Sequence, residues 1–251
     1  QRGYGQAFIE QYLVPMGSAI WSADTDAMVE FPLQFFVRFF KNHGLLSITN
    51  RPQWRVIEGG SREYLAPLTA GYAANIHCDV KIASVSRDEQ GATISFEDGS
   101  SEAFDHIVMA CHSDQALALL ADPSPAEREI LGALPYQANE VVLHTDTNLL
   151  PRSRKAWSSW NYLLQGGNQR AVLTYNMNIL QGLGTRNQYL VTLNDDRRIN
   201  PDKVIQRIAY DHPVYSGEAV LAQGRQADIN RDRTFFCGAY WRNGFHEDGV
   251  V

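Results

Sequence analysis

Residues 235–251 read FFCGAYWRNGFHEDGVV and hold the clearest structural signal in the chain. Residues 234–237 predict a strand, Gly238 predicts a turn, and the aromatic residues after it predict a loop. The segment Glu247-Asp248-Gly249 suits the first turn of a helix, because acidic side chains favour the positive end of the helix dipole. The sequence here predicts a strand, a glycine turn, a loop and the start of a helix.

Both ends of the chain resemble interior sequence. Val250 and Val251 follow the predicted helix start, and a helix of so few residues is not stable. Gln1 to Tyr4 contains neither an initiator methionine nor a secretion signal with a basic start and an apolar middle. We therefore expect the chain to be a fragment of a longer protein.

Composition limits the class of protein. The 251 residues are 44% hydrophobic and 11% aromatic, which is enough to bury a core in one large or two modest domains. The net charge of −6 and the lack of a long basic run argue against nucleic acid as the main partner. Cys78, Cys111 and Cys237 are too scattered for a disulfide framework or a CxxC site, so a reducing cytoplasm is the expected location. No apolar stretch reaches the roughly 18 to 20 residues of a transmembrane helix.

The first forty or so residues predict helices with apolar side chains at spacings of three and four. The second of two such stripes is rich in phenylalanine, and its bulk implies deep burial. Two interpretations stay open: a helix packed into a core, or the wall of an apolar substrate cavity. The stripes consist of Phe8, Ile9, Tyr12 and Leu13, and of Met28, Phe31, Phe35, Phe36, Phe39 and Phe40.

Strand and helix signals alternate in blocks through the rest of the chain, which predicts two domains that the chain visits more than once. Pro125 and Glu127 give the usual entry signals of one helix. The predicted order is a strand at 54–57, a glycine turn at 59–60, a helix at 61–72, strands at 78–86, 92–96 and 104–110, helices at 113–120 and from 124, strands at 140–144, 171–175 and 189–193, and a helix at 201–210.

Motifs of other enzyme classes are absent from the sequence. The segments at Gly3-Tyr4-Gly5 and Gly182-Leu183-Gly184 do not complete a GxGxxG phosphate loop between a strand and a helix. The histidines show no metal-ligand spacing, so no metal site is expected. A GxSxG nucleophile motif is also lacking, which makes a serine hydrolase improbable.

The ordered set of motifs resembles FAD-dependent amine oxidase-like oxidoreductases, and a bacterial branch of NAD/FAD-binding oxidoreductases is more similar still. The resemblance covers essentially the whole chain. In that family a βαβ unit with the GxGxxG sequence comes before the part seen here, and a helix follows it. The motifs are YLVPMGSAIWS at 12–22, FFVRFFKNHGLL at 35–46, RPQWRVIEGGSREY at 51–64, FDHIVMA at 104–110 and FCGAYWRNGFHEDG at 236–249.

The resemblance implies an α/β fold, with α+β character in this chain: a truncated, doubly wound FAD/NAD(P)-binding domain interleaved with a mixed sheet-and-helix substrate domain. The expected FAD-binding parts are residues 54–115 and 228–251. The expected substrate-domain parts are residues 1–53, which are helical, and 116–227, which hold the sheet. Partners implied are a small-molecule substrate and the N-terminal part of the same protein, with no integral membrane segment.

Cofactor contacts are carried over by position. Val80 resembles the strand residue whose backbone meets the adenine ring, although an ordinary strand valine is an equal interpretation. Cys111 lies where the family's chain passes the FAD, next to His112 in place of a common proline. Gly238 resembles the glycine that lets backbone approach the ribityl and phosphate groups, and Tyr240 replaces a glutamate that binds sugar hydroxyls there.

The predicted helix start resembles the one under the flavin pyrimidine ring. Glu247, Asp248, Gly249 and Val250 are therefore expected cofactor contacts, because free N–H groups at a helix start stabilise negative charge on reduced flavin. His246 takes the position of a flavin-facing aromatic residue. It could act as an acid or base or bind a polar substrate, and the alternative is a histidine that caps the loop.

The implied activity is removal of a hydride from a substrate C–H bond by FAD. Amines are the default substrate, but the lysine that holds a water near the flavin in amine oxidases corresponds to Asn139 here. This change and the phenylalanine stripe favour an apolar acyl or isoprenoid substrate that undergoes desaturation or C–C oxidation. For the chain in isolation, a folded core without cofactor or activity is the alternative, and a pure interaction module is a third.

Overall fold

The computed structural model describes residues 3, 5–23, 28–50, 52–53, 55–164, 172–195, 197–231 and 233–250. The chain forms two compact units, each visited more than once. Unit 1 comprises Gln1–Phe31, Phe40–Ala73 and Gln137–His212. Unit 2 comprises Pro32–Phe39, Ala74–Tyr136 and Pro213–Val251. These bounds differ from those inferred from sequence, chiefly because residues 54–73 belong to unit 1 and residues 116–136 to unit 2.

The N-terminal part of unit 1 is helical, as its apolar spacing predicted. Helices α1 (Gln6–Phe8) and α2 (Val14–Trp21) are joined by a π-helical stretch, Ile9–Leu13. A π-helical turn has one extra residue, so it changes the face on which later side chains lie. Trp21 is buried and packs against Phe31, with ring centroids 4.5 Å apart.

The segment that was predicted to be a strand, a turn and a helix keeps its turn and its helix. The N–H of Gly60 donates to the carbonyl of Ile57 at 3.0 Å, which closes the glycine turn. A 3-10 helix, Ser61–Tyr64, then continues into α4, Leu65–Thr69. The strand at 54–57 was wrong: residues 55–57 pair with no strand, and Trp54 lies outside the described residues.

Unit 1 is built on a five-stranded sheet in the order β6-β7-β8-β5-β9. The predicted strands at 140–144, 171–175 and 189–193 are present as β5, β7 and β8, although Ala171 lies outside the described residues. Strands β6 and β9 were not predicted. The strands are β5 (Tyr136–His144), β6 (Trp160–Leu163), β7 (Val172–Asn176), β8 (Leu190–Leu193) and β9 (Val204–Pro213).

The prediction of a helix at 201–210 was wrong. Pro201 begins a 3-10 turn, Pro201–Lys203, whose N-cap is Asn200, and strand β9 then starts at Val204. The segment forms a strand because it pairs with β5, and next to this pairing the N–H of Thr145 donates to the carbonyl of Lys203 at 3.0 Å. Tertiary pairing of this kind overrides helical spacing when β-branched residues can supply a strand surface.

Unit 2 contains two small sheets. The first is the predicted antiparallel meander β1-β2-β3: β1 (Ile82–Arg87), β2 (Ala92–Phe96) and β3 (Ser101–Phe104). The turns are those predicted, and the Asp88 carboxylate accepts the N–H groups of Gln90 and Gly91 at 2.7 and 2.9 Å.

The second sheet pairs β4 (Ile107–Met109) and β10 (Thr234–Phe236) in parallel, with Met109 opposite Phe236. The strand predicted at 104–110 is shorter in the structure and covers only β4. Phe104 belongs to β3, and the side chain of Val108 is 60% exposed while Met109 faces the core.

Helices of unit 2 pack around this sheet. α5 (Ser113–Leu119) and α6 (Pro125–Gly132) match the predictions, and Ser124 and Glu127 close the capping box of α6. α8 (Gly217–Gln223) and α9 (Gln226–Ile229) complete the set, and α7 (Met177–Gln181) lies in unit 1. The core includes Ile130, Leu131, Leu134, Ala219, Phe236, Tyr240 and Trp241.

The phenylalanine stripe lies on α3 (Leu33–Asn42), which runs from unit 2 into unit 1. Phe35 stacks on Tyr215 and Phe39 stacks on Phe245, at centroid distances of 5.0 and 5.3 Å. Both rings are almost fully buried. Of the two interpretations, the packed helix therefore describes these two residues. Throughout the described residues, every helix is too short or too polar to cross a bilayer.

Candidate functional site

Cys111 and Gly238 follow the carboxyl ends of two hydrogen-bonded parallel strands. The N–H of Cys237 extends the ladder by donating to the carbonyl of Met109 at 3.1 Å, and the chains leave the sheet just after it. In open parallel sheets, ligands bind outside the carboxyl ends of the strands, because the loops diverge there. The fold thus brings two of the predicted cofactor residues to the same edge of one sheet.

The phenol ring of Tyr240 lies directly over Gly238. A Cβ atom at position 238, where φ is +151°, would come within 2.6 Å of Cε1 of Tyr240. The glycine is thus required locally by a side chain of this protein. The cofactor contact of Gly238 stays a prediction, and Tyr240 occupies the side of the glycine on which a Cβ atom would lie.

The aromatic turn after Gly238 is a 3-10 helix, Ala239–Trp241, held from outside by Gln223. Nε2 of Gln223 donates to the carbonyls of Tyr240 and Arg242, at 2.7 and 2.6 Å. Burial raises the pKa of Tyr240, so its phenol stays neutral at physiological pH. The turn therefore presents two neutral, rigidly held aromatic side chains, Tyr240 and Trp241.

The loop at 243–249 closes on itself through Asp248. One carboxylate oxygen accepts from the N–H of Phe245 at 3.0 Å, and the other accepts from Nδ2 of Asn243 at 3.3 Å. The predicted α-helical start is a 3-10 turn, His246–Gly249, as far as the structure describes it. Gly244 has φ of +92°, and a Cβ atom there would meet the hydroxyl of Tyr215 at 2.6 Å.

The remaining tail residues of the prediction face solvent. His246, Glu247 and Gly249 are exposed, and the side chain of Val250 is 85% exposed. Gly249 lies near the start of the aromatic turn, because a Cβ atom there would be 3.7 Å from the N atom of Ala239. The structure thus brings the 246–249 turn beside the Ala239–Trp241 turn, with the imidazole of His246 accessible.

Val80 lies apart from these turns in the chain and precedes β1 by two residues. The predicted strand begins only at Ile82, because Asp79 has φ of +58° and turns the chain just before it. Val80 lines an open cleft of about 830 Å³ in which apolar residues such as Phe96 and Phe104 alternate with charged ones such as Lys81 and Glu102. The adenine contact of Val80 stays a prediction.

Sequence reasoning missed two aromatic side chains of this region, Tyr136 and Tyr215. The ring of His112 stacks on Tyr136 with centroids 4.4 Å apart, and the hydroxyl of Tyr136 accepts from the N–H of Ser113 at 3.0 Å. Tyr215 packs between Phe35 and Gly244. No motif or spacing marks these residues, because their proximity arises from the long connections between the strands.

The side chain of Asn139, which the resemblance matched to the family's lysine, forms hydrogen bonds within the sheet of unit 1. It is 1% exposed, its Nδ2 lies 2.9 Å from Nδ1 of His212, and its Oδ1 accepts from Nδ2 of Asn194 at 2.8 Å. These bonds tie β5 to β9 and to the end of β8. Both N–H groups of the amide are used within the protein, because Nδ2 also donates to the carbonyl of Gln137 at 3.0 Å.

A family model described as flavin containing amine oxidoreductase matches residues 5–200. The chain belongs to the flavin-containing amine oxidoreductase family. No curated protein matches the chain. The match covers both compact units in part, including β4 and the candidate residue Cys111, while the tail from Gly238 onward lies beyond it.

Solved structures of flavin-containing amine oxidoreductases and related enzymes have a similar fold. Cyclohexylamine oxidase from Brevibacterium oxydans IH-35A has a TM-score of 0.63 at 15% identity, over 99% of this chain and 62% of that one. Reduced UDP-galactopyranose mutase has a TM-score of 0.61 at 10% identity, over 96% and 62%. A putative protoporphyrinogen oxidase from Exiguobacterium sp. 255-15 has a TM-score of 0.57 at 14% identity, over 94% and 60%. The chain thus spans about three fifths of the length of these proteins.

The described residues fit the flavin of this family in part. In favour are the parallel strand ends at Cys111 and Gly238. The hydroxyl of Tyr240 and Nε1 of Trp241 are buried and, within the described part of the chain, have no partner other than each other. Against the fit stands the ring of Tyr240, which covers one side of Gly238. The residues that would hold the cofactor are thus Val80, Cys111, Tyr240 and Trp241, together with the 246–249 turn.

Proposed function

We propose that the protein containing this chain is an FAD-dependent oxidoreductase that takes a hydride from a C–H bond of an organic substrate. The observation that carries the proposal is the position of Cys111 and Gly238 after two paired parallel strands, in a chain of the flavin-containing amine oxidoreductase family. FAD supplies the redox chemistry when bound, and the protein binds, orients and excludes water.

The chain's own groups have distinct tasks in this proposal. Tyr240 and Trp241 form a rigid, neutral wall, since Gln223 holds the backbone on which they stand. Asp248 fixes the 243–249 loop by its two hydrogen bonds and so positions the turn that we assign to the cofactor's pyrimidine ring. His246 is the exposed histidine of that turn, and we assign it the acid or base role.

Amines are the first substrate class to test, because the family and one neighbour are named for them. The acyl or isoprenoid alternative rested on two features. The argument from the missing lysine is strengthened, because buried hydrogen bonds fix the Asn139 side chain within the sheet. The other, the phenylalanine stripe, is weakened, because Phe35 and Phe39 are buried and stack on aromatic rings of the same unit.

The test is cofactor analysis of the full-length protein. Purified protein should show the absorbance of oxidised flavin and release FAD on denaturation, and an amine substrate should bleach that absorbance in the absence of oxygen. Bleaching by acyl substrates and not by amines would select the second substrate class. Full-length protein that neither contains nor binds FAD would overturn the proposal, and FAD bound tightly by residues 1–251 alone would show that the isolated chain is more than a cofactor-free core.

The role of His246 has its own test. We expect His246→Asn to lower kcat, because it removes the acid or base that we assign to this turn. His106→Asn is the matched control, because His106 is also exposed but lies at the amino end of β4, away from the strand ends that form the site. A kcat of His246→Asn equal to that of the wild type would leave His246 with a loop-capping role. A cytoplasmic location also stays a prediction.

A further inference from the structure

One stretch of unit 1 has a charge opposite to that of the whole chain. Residues 147–194 include five arginines and lysines and no aspartate or glutamate, whereas the complete sequence has a net charge of −6. Asp146, just before the stretch, is buried and paired with Lys203. Asp195, just after it, has a side chain that is 8% exposed and is paired with Arg198. The surface formed by this stretch is therefore positive, which favours anionic ligands.

A cleft of about 620 Å³ opens beside this stretch, between the loop before β6, β6 itself and the segment after β8. All of its lining residues belong to unit 1, so it shares none with the site that we assign to the flavin. The charged side chains of the lining are Arg152 and Arg198, and no carboxylate of the described residues lines it. A bound cation would lack a counter-charge here, whereas a carboxylate or phosphate would have two.

Arg198 is positioned for such a ligand by a carboxylate outside the cleft lining. Its Nε lies 2.8 Å from Oδ2 of Asp195, and the Arg198 side chain is 45% exposed. Within the described part of the chain, its two terminal nitrogens have no hydrogen-bond partner. A guanidinium held at Nε keeps its terminal nitrogens available, and these match the geometry of carboxylate and phosphate oxygens.

The loop that carries Arg152 is folded on itself. Nε1 of Trp157 donates to the carbonyl of Pro151 at 2.8 Å, and the N–H of Ala156 donates to the carbonyl of Ser153 at 3.0 Å. The exposed guanidinium of Arg152 forms no hydrogen bond or ion pair with any residue that the structure describes. Because the backbone is already ordered, a ligand would have to immobilise only the side chain.

We propose that this cleft binds a small organic anion. Its carboxylate or phosphate would be held by Arg152 and Arg198. Its apolar body would pack on Leu149, Leu163 and Trp160, which also line the cleft. The site goes beyond the proposed function, since hydride transfer to a flavin does not require it.

The test uses NMR of full-length protein titrated with two anions, phenylacetate and phenyl phosphate, and with neutral phenylacetamide. Trp160→Phe assigns the indole N–H signal of Trp160, which reports on the cleft. We expect both anions to shift this signal with a Kd of about 1 mM, typical of ligands of this size. The amide should bind about 10-fold more weakly or not at all, because it lacks the charge that the arginines bind.

Arg152→Gln and Arg198→Gln should each raise the Kd of both anions about 10-fold, the effect of one charge-assisted hydrogen bond. Arg186→Gln is the matched control. Arg186 is an exposed arginine of the same acid-free stretch, and it does not line the cleft. Its loss changes the net charge equally and should leave the Kd within about 2-fold of wild type, the small effect of a distant exposed charge.

Three results would overturn the inference: no shift of the Trp160 signal by either anion, equal binding of phenylacetate and phenylacetamide, or equal weakening by all three arginine variants. Arg198→Gln leaves Asp195 unpaired and could unfold the protein. Arg152→Gln removes no contact among the described residues, so its result decides in that case. The test is independent of FAD, because protein without flavin can bind the anions and protein with flavin can fail to.

Discussion

The imidazole Nδ1 of His144 accepts a hydrogen bond from the N–H of Asp146 at 3.1 Å, which fixes the proton on Nε2. Nε2 then donates to Oγ1 of Thr192 at 2.8 Å, and the Thr192 and Thr174 hydroxyls lie 2.8 Å apart. The three side chains form a buried polar row across β5, β8 and β7. Protonation of Nδ1 would remove its acceptor and break the row at its start.

Stability is therefore expected to depend on the protonation of His144. Burial lowers the pKa of His144, and Asp146 offsets only part of the effect. The unfolded chain, with a histidine pKa of about 6.5, thus binds a proton that the folded state excludes. The contribution of His144 to the free energy of unfolding should be complete above about pH 6.5. Below that pH it should decrease by at most about 1.4 kcal/mol per pH unit. Urea unfolding at several pH values measures this change in unfolding free energy. In His144→Gln, the unfolding free energy should vary less with pH than in the wild type.

Arg87 and Glu127 form a buried ion pair that joins β1 to α6. Nη2 of Arg87 lies 3.1 Å from Oε2 of Glu127, and the side chains are 12% and 7% exposed. Burial would raise the pKa of Glu127, but the hydrogen bond and charge of Arg87 outweigh it, so the pKa is lowered. We expect Arg87→Met to cost about 3 to 5 kcal/mol of unfolding free energy, because it leaves a buried carboxylate unpaired.

The control for that change is Arg225→Met. Arg225 also pairs with a glutamate, Glu129, but the two side chains are 42% and 65% exposed. Pairs exposed to this degree contribute about 0 to 1 kcal/mol. If urea unfolding shows that Arg87→Met and Arg225→Met lose the same unfolding free energy, the buried pair does not stabilise the protein more than the exposed one.

Local signals predicted the parts of the fold that local chemistry decides. The entry of α6 is one case, since Ser124, Pro125 and Glu127 specify an N-terminus without help from the rest of the chain. The turn at Asp88 is another, because its carboxylate bonds to the backbone two and three residues later. Family resemblance then placed Cys111 and Gly238 in one site, which periodicity alone could not do.

Elements decided by distant pairing were the ones predicted wrongly. Val204 to Pro213 has apolar residues at helical spacing, yet it joins the sheet beside β5, to which Arg207 also binds through Glu140 at 3.0 Å. The ring of Tyr240 over Gly238 could not be predicted either, since it depends on the φ of one glycine and the rotamer of a side chain two residues later. Both outcomes depend on three-dimensional packing that no spacing in the sequence encodes.

Introducing the family's lysine at Asn139 is expected to destabilise the protein and not to create amine oxidase chemistry. The position is 1% exposed, and the change would bury an ammonium while removing the bonds to His212 and Asn194. We expect Asn139→Lys to cost about 2 to 4 kcal/mol, the range for an unpaired buried polar or charged group. Glu140→Lys adds the same side chain at the next residue, whose side chain is 47% exposed, and should cost under about 1 kcal/mol. A stable Asn139→Lys variant with faster amine turnover would contradict this expectation.

A methyl group at Gly238 should disturb both the fold and the proposed site. The added Cβ would lie 2.6 and 2.9 Å from Cε1 and Cδ1 of Tyr240, and φ of +151° is unfavourable for alanine. We expect Gly238→Ala to lower the free energy of unfolding by about 1 to 3 kcal/mol and to weaken FAD binding, because the ring of Tyr240 must move. Gly217→Ala is the matched control: it lies in the same unit, opens α8, and has no atom within 4 Å of the new Cβ. That control should be neutral or slightly stabilising, since alanine restricts the unfolded chain. If Gly238→Ala unfolds at the same urea concentration as Gly217→Ala, the contact between Gly238 and Tyr240 does not constrain the folded protein.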